Sequence, residues 1–246
     1  MTIRFERAQA LFNEHDDTGE ALAEAELEFQ TLLKQMPNFP QAIAYLGLIA
    51  LDRMNSPLAD SLFKASLTID STCAEARVGR AQLLRRNKLW QAGYAEARHA
   101  VTLAPNSIMA RWELVSQLLH RAEAPVTETE QREAAPHLLK LIELDSNDRQ
   151  AHLDLAVIYE HSKMWNDAAN HYREVLRIGQ LPEDMDVWVF EIHQDAARCF
   201  ENLGDYDEAI KDLQLYLANL KEFQYPDEST KRIEQKIEQL QQRKRH

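Results

Sequence analysis

The side chains that could do chemistry are plentiful in this chain but badly spaced for it. Nine histidines and 40 carboxylates occur among 246 residues. Two imidazoles grip one metal from a single helix when they lie one turn apart, at i and i+4. No histidine pair has that spacing: His152 and His161 are nine apart, His161 and His171 ten apart. Histidines beside carboxylates, as in Glu160-His161 and Glu191-Ile192-His193, read as solvated or helix-terminal groups. With so many acids, carboxylate pairs carry no catalytic information without a pocket. Six scattered glycines cannot assemble a phosphate-cradling loop. Nucleophile-elbow and HExxH patterns are absent as well. The expectation is a chain that is not an enzyme, with no metal and no cofactor.

Composition narrows the scaffold. Apolar residues make up 45% of the chain, enough for a real core. Glycine (6) and proline (8) are scarce while Ala, Leu, Glu and Gln abound, which favours helix. No apolar run approaches the roughly 18 residues of a membrane span. Glu6 and Arg7 fall where an export signal would carry its apolar core. Cys73 and Cys199 are isolated and make no disulfide framework. A reducing cytoplasm is the expected compartment. The net charge of −12 argues against nucleic acid as a partner. That charge is uneven: 74–107 nets +4, 186–227 nets −7 and 228–246 nets +3.

Internal repetition organises the rest. The segment from Ala74 to Asn106 holds two helical stretches joined at Asn87-Lys88, with small residues at Ala81, Gly93 and Ala100 and a stop at Pro105. Moving back 34 residues gives Gly47, Ala59 and Ser66, with Phe63 among them. Forward, Ser146 takes the part of Pro105 but lies 41 residues on, so about seven extra residues sit near Ala124–Glu130. Ala156, Tyr159, Ala168 and Tyr172 then repeat the pattern. After a second insertion at LPEDMDV, it returns in Ala197, Phe200, Gly204-Asp205-Tyr206 and Ala209. The first copy is degenerate, with Ala25, Phe29, Leu32 and Pro37 in its second helix. Small residues let paired helices approach, and large ones fill the gap to the next pair. Each pair leaves apolar faces over, so neighbours must stack into a quasi-one-dimensional array.

A helix–turn–helix of 34 residues carrying Leu46-Gly47, Ala59 and Phe63 resembles the tetratricopeptide repeat. So does Leu155-Ala156, Tyr159, Ala168, Tyr172, and NLGDYDEAI at 202–210 looks like that family's inter-helix turn. The resemblance implies an all-α, right-handed superhelical solenoid of about six helix pairs in one domain, 1–246. The copies run approximately 6–39, 40–73, 74–107, 108–148, 149–185 and 186–225. Beyond them, Ile233, Ile237 and Leu240 form a narrow apolar stripe that reads as a capping helix over 227–244. Arg77, Arg80 and Arg111 depart from the family, which usually has large apolar residues at such places.

In that family the first helix of each pair lines a concave groove. Carried onto this chain, the lining is Ala44, Leu48 and Leu51; Val78, Gln82 and Arg85; Trp112, Ser116 and Leu119; Leu153, Val157 and Glu160; Gln194, Arg198 and Glu201. Each triplet shares one helical face, and the face turns from apolar to polar along the chain. Trp112 is either an anchor for a partner or a packed core residue. Arg77, Arg80, Arg85 and Arg111 either fork onto an acidic ligand or pair with neighbouring repeats. A family clamp for a terminal carboxylate looks absent, since Ala44, Leu48 and Val78 occupy its places. The implied function is a protein-interaction module, adaptor- or co-chaperone-like, holding a partner's peptide or helix in the groove. The alternatives are a self-associating scaffold forming homo-oligomers, and a regulatory subunit of an enzyme on another chain.

Overall fold

The computed structural model describes residues 2–14, 19–120, 125–179, 189–222, 224 and 227–245. Among these residues there are thirteen helices and no strand. They come in consecutive hairpins: α1 (Thr2–Asn13) with α2 (Glu20–Gln35), α3 (Pro40–Asp52) with α4 (Ser56–Ile69), and α5 (Ala74–Arg86) with α6 (Trp90–Leu103). There follow α7 (Ile108–Leu119), α8 (Glu128–Leu144), and the hairpins α9 (Arg149–His161) with α10 (Trp165–Ile178) and α11 (Val189–Leu203) with α12 (Tyr206–Glu222). Last comes α13 (Asp227–Lys244), where the capping helix is expected. Of the two insertions, LPEDMDV lies outside the described residues, as does Ala124 of the other. The chain divides into two compact units, 1–130 and 131–246.

In four of the hairpins the turn shows how a repeat reverses. Asn55 N–H donates to Ala50 O at 2.8 Å, Leu89 to Leu84 at 2.9 Å, Met164 to Tyr159 at 2.8 Å and Asp205 to Phe200 at 2.9 Å. Such a bond ties off the carbonyls that the first helix leaves without partners. It requires a left-handed residue just before the donor: Met54 (φ 60°), Lys88 (60°), Lys163 (57°) and Gly204 (78°). A side chain there costs roughly 1 kcal/mol, so only Gly204 adopts the turn unstrained. In two of the four the next helix then starts on a side-chain cap: Asn55 accepts from Leu58 N–H and Asp205 from Glu208 N–H, whereas Leu89 and Met164 offer none.

In unit 1 the core is aromatic at one end, where Phe29 and Tyr45 stack 4.8 Å apart. Further along, Phe63 on α4 is fully enclosed. A Cβ on Gly47 would stand 2.5 Å from its ring, and one on Gly79 2.2 Å from it. The absence of side chains on α3 and α5 is therefore what makes room for the phenyl group. In unit 2 the core centres on Tyr172, Phe200, Leu213 and Leu220, and α13 inserts Ile233, Ile237 and Leu240 into it. One cysteine is buried in each unit: Cys73 in unit 1 (2% exposed) and Cys199 in unit 2 (0%). Burial pushes their thiols up to about 11 and about 12.

Candidate functional site

In unit 1 the apolar part of the expected groove is interior. Ala44, Leu48, Leu51 and Val78 are each at most 4% exposed. The first three share an apolar cluster with Ala8 on α1 and with Ala76 and Leu83 on α5, the helices flanking α3. Val78 clusters instead with Ala100 and Ala110. Neighbouring helices have closed over this face, so these four residues hold the fold and offer no surface to a ligand. Gln82, Arg85, Trp112, Ser116 and Leu119 stay half-buried.

The arginines that were open to either an acidic ligand or a neighbouring repeat have partners at home. Arg77 donates to Glu96 (2.9 Å) and to the carbonyl of Ser71 (2.6 Å), while Arg80 pairs with Glu96 as well (3.1 Å). One repeat further on, Arg111 donates to the carbonyl of Pro105 at 2.8 Å, the counterpart of Ser71. These departures from the family's apolar pattern thus tie down the turn between repeats. Arg85 forks onto Glu113, with both contacts at 3.2 Å. Gln117 completes that cluster, donating to Glu113 (2.8 Å) and to Ala81 O (3.0 Å). Gly93 leaves the space its amide fills, since a Cβ there would stand 2.7 Å from Gln117 Nε2. Burial raises the Glu113 carboxyl above its ordinary value despite the opposing pull of Arg85 and Gln117.

Unit 2 offers an open recess. Leu153 is half-buried against the core, while Val157 is 38% exposed. A cavity of about 390 Å³ lies between α11 and α13. Its floor is apolar, from Ala197, Leu213 and Ile233. One wall carries Gln194, Arg198 and Glu201, the last triplet of the expected groove. The other carries Arg232, Gln235, Lys236 and Gln239 of α13.

Two of these walls are held by charge. Glu160 on α9 accepts from Arg198 at 2.5 and 3.0 Å, and Tyr172 OH donates to it at 2.7 Å. Burial alone would raise the Glu160 carboxyl, but those hydrogen bonds outweigh it and hold it below the ordinary range. Lys236 pairs with Glu201 at 2.6 Å. Gln194, Gln235, Gln239 and Arg232 are exposed and have no hydrogen-bond partner among the described residues. Three free amides and one free guanidinium therefore converge above an apolar floor.

The α13 wall is what sequence reasoning missed. Its signal was present, because 232, 235, 236 and 239 follow the i, i+3, i+4, i+7 pattern beside the apolar stripe. Elsewhere, no group of three or more His, Cys, Asp or Glu side chains among the described residues could hold a metal ion. No described helix is long and apolar enough to cross a membrane.

The geometry defines an all-α array of helical hairpins, and solved structures give that class its name. PilF of Pseudomonas aeruginosa superposes with a TM-score of 0.61 at 18% identity, covering 95% of this chain and 99% of its own. YrrB, a tetratricopeptide-repeat protein with an unusual peptide-binding site, gives 0.60 at 14% identity over 78% of this chain and 91% of its own. MamA gives 0.58 at 18% identity over 76% and 94%. The fold is that of the tetratricopeptide-repeat solenoids. No family model matches the chain, and no curated protein matches it in sequence.

Proposed function

We propose that the chain is a protein-interaction module that holds an extended, acidic segment of a partner protein between α11 and α13. The observation that carries this reading is the cavity with its free amides. An extended strand leaves its own N–H and C=O groups open, and a glutamine amide, donor and acceptor together, matches that edge. A helix has already satisfied its main chain and is about 10–12 Å wide, a poor occupant for about 390 Å³. The apolar floor takes one side chain, and Arg232 meets a carboxylate. In YrrB, which shares the fold, a peptide-binding site is known. In unit 1 the accessible Gln82, Trp112, Ser116 and Leu119, and in unit 2 Leu153 and Val157, are further contact positions on this reading.

The test uses fluorescein-labelled octapeptide pools with Glu, Gln or Lys fixed at the central position, followed by anisotropy. The Glu pool should bind tightest. Arg232→Glu should weaken it at least about tenfold, the scale of a hydrogen bond to a charged group. Gln235→Ala with Gln239→Ala should weaken all pools alike, because those amides read the main chain. All three positions are exposed, so helicity should not change. Equal affinity for the Glu and Lys pools sinks the proposal.

A further inference from the structure

One contact recurs within the hairpins, always between residues 19 apart: one near the start of the first helix, the other in the middle of the second. In α5–α6 it is the ion pair Arg77–Glu96 at 2.9 Å. In α11–α12 it is His193 Nδ1 against Asp212 Oδ1 at 3.3 Å. In α3–α4 the same places hold Ile43 and Leu62, both apolar. In α9–α10 they hold two histidines, His152 and His171, with their Nδ1 atoms 2.9 Å apart. The first three combinations pair opposite charges, an imidazole with a carboxylate, or two apolar side chains. The fourth sets two rings of the same kind, each able to take up positive charge, against one another.

At that distance the two nitrogens share one proton. His152 is 6% exposed, and its Nε2 is buried with no partner. A bare lone pair is tolerated there better than an N–H, so the shared proton belongs to His152 Nδ1 and is accepted by His171 Nδ1. A second proton then has two destinations, both unfavourable. On His152 Nε2 it would be an enclosed donor without an acceptor. On His171 Nδ1 it would face the N–H of His152, placing two positive rings against each other.

The surroundings do not reverse this. His171 is held below the ordinary imidazole value first by burial and then by His152, while Asp167 and Glu174 on its own helix pull weakly the other way. Tyr159 of α9 stacks on His171 with centroids 5.5 Å apart. Among the described residues the charges acting on it come from His152, Asp167 and Glu174.

We propose that His152 and His171 form a proton-operated clasp that keeps the α9–α10 hairpin closed near neutral pH and loosens it on mild acidification. The sign follows from linkage. A histidine held low when folded contributes stability above the ordinary imidazole value near 6.5, and that contribution is lost as pH falls below it. The consequence reaches the cavity, because α9 supplies Glu160, which grips Arg198 in its wall.

Hydrogen exchange of the full chain at pH 7.5 and 5.5, corrected for intrinsic rates, reads the clasp directly. Amides of α9 and α10 should lose protection severalfold more than those of α5 and α6, which carry the Arg77–Glu96 pair at the same places. His171→Glu copies the histidine–acid pair of α11–α12 and should reverse the response, gaining protection at pH 5.5. His152→Ile with His171→Leu copies α3–α4 and should flatten it, which keeps the test decisive if the charged variant fails to fold. Equal loss in α9–α10 and α5–α6 of the native chain overturns the proposal. So does persistence of the acid response in the apolar double variant.

Discussion

Alanine at Gly79 is expected to destabilise unit 1 by about 3 kcal/mol, the upper end of what overpacking a core costs. The new methyl carbon would stand 2.2 Å from two ring carbons of Phe63, well inside van der Waals contact. The phenyl group has little room to retreat, because Gly47 on α3 also lies against it and would place a Cβ at 2.5 Å. Nor can it swing outward, being fully enclosed. Relief must come from separating α3, α4 and α5, which gives up apolar contact along the whole hairpin. Alanine's better helix propensity returns only about 1 kcal/mol. Urea unfolding followed by circular dichroism should show an earlier transition for Gly79→Ala. In a Phe63→Leu background, where the clash is gone, the same substitution should cost less than about 1 kcal/mol. A full-sized loss in that background would mean that the ring is not the obstacle.

Arg85→Glu should be at least as damaging, at about 3–5 kcal/mol, because it strips a buried charge of its counter-charge. Glu113 lies inside unit 1 with Arg85 and Gln117 as hydrogen-bond donors. A second carboxylate in place of the guanidinium leaves two negative groups facing each other. The deficit should shrink as the medium is acidified from pH 8 to 5. Burial already raises the Glu113 carboxyl, and Arg85 is a main influence pulling it down. A carboxyl raised by folding binds a proton more readily in the native state, so its contribution grows as pH falls and is lost as pH rises. Arg85→Leu with Glu113→Leu should be close to neutral, as apolar replacements of buried ion pairs often are. Thermal unfolding at the two pH values reads both effects, and an Arg85→Glu deficit that does not change with pH would contradict this account.

The sequence made the architecture legible because the repeat is written in side-chain size. Gly47 and Ala59 recur in kind one period on, as Ala81 and Gly93, and the pairing of small with large was enough to place Phe63 in the interior. The stripe Ile233, Ile237, Leu240 announced that α13 packs on its neighbour. The site was less legible. Period and phase say which face a residue occupies, not how tightly the flanking helices close over it, and so Ala44, Leu48, Leu51 and Val78 looked available when they are interior. For Arg77 and Arg111 an acidic ligand and a partner within the chain stayed equally readable, because their partners include the carbonyls of Ser71 and Pro105, which leave no trace in residue type. His152 and His171 meet only through the hairpin's geometry, 19 residues apart, where a search for one-turn spacing does not look.

The two enclosed thiols give the molecule a pair of internal reporters. Cys73 belongs to unit 1 and Cys199 to unit 2, and neither can be alkylated while its surroundings stay shut. Peptide mapping after a timed pulse of iodoacetamide therefore counts breathing events in each half independently, with no engineered label.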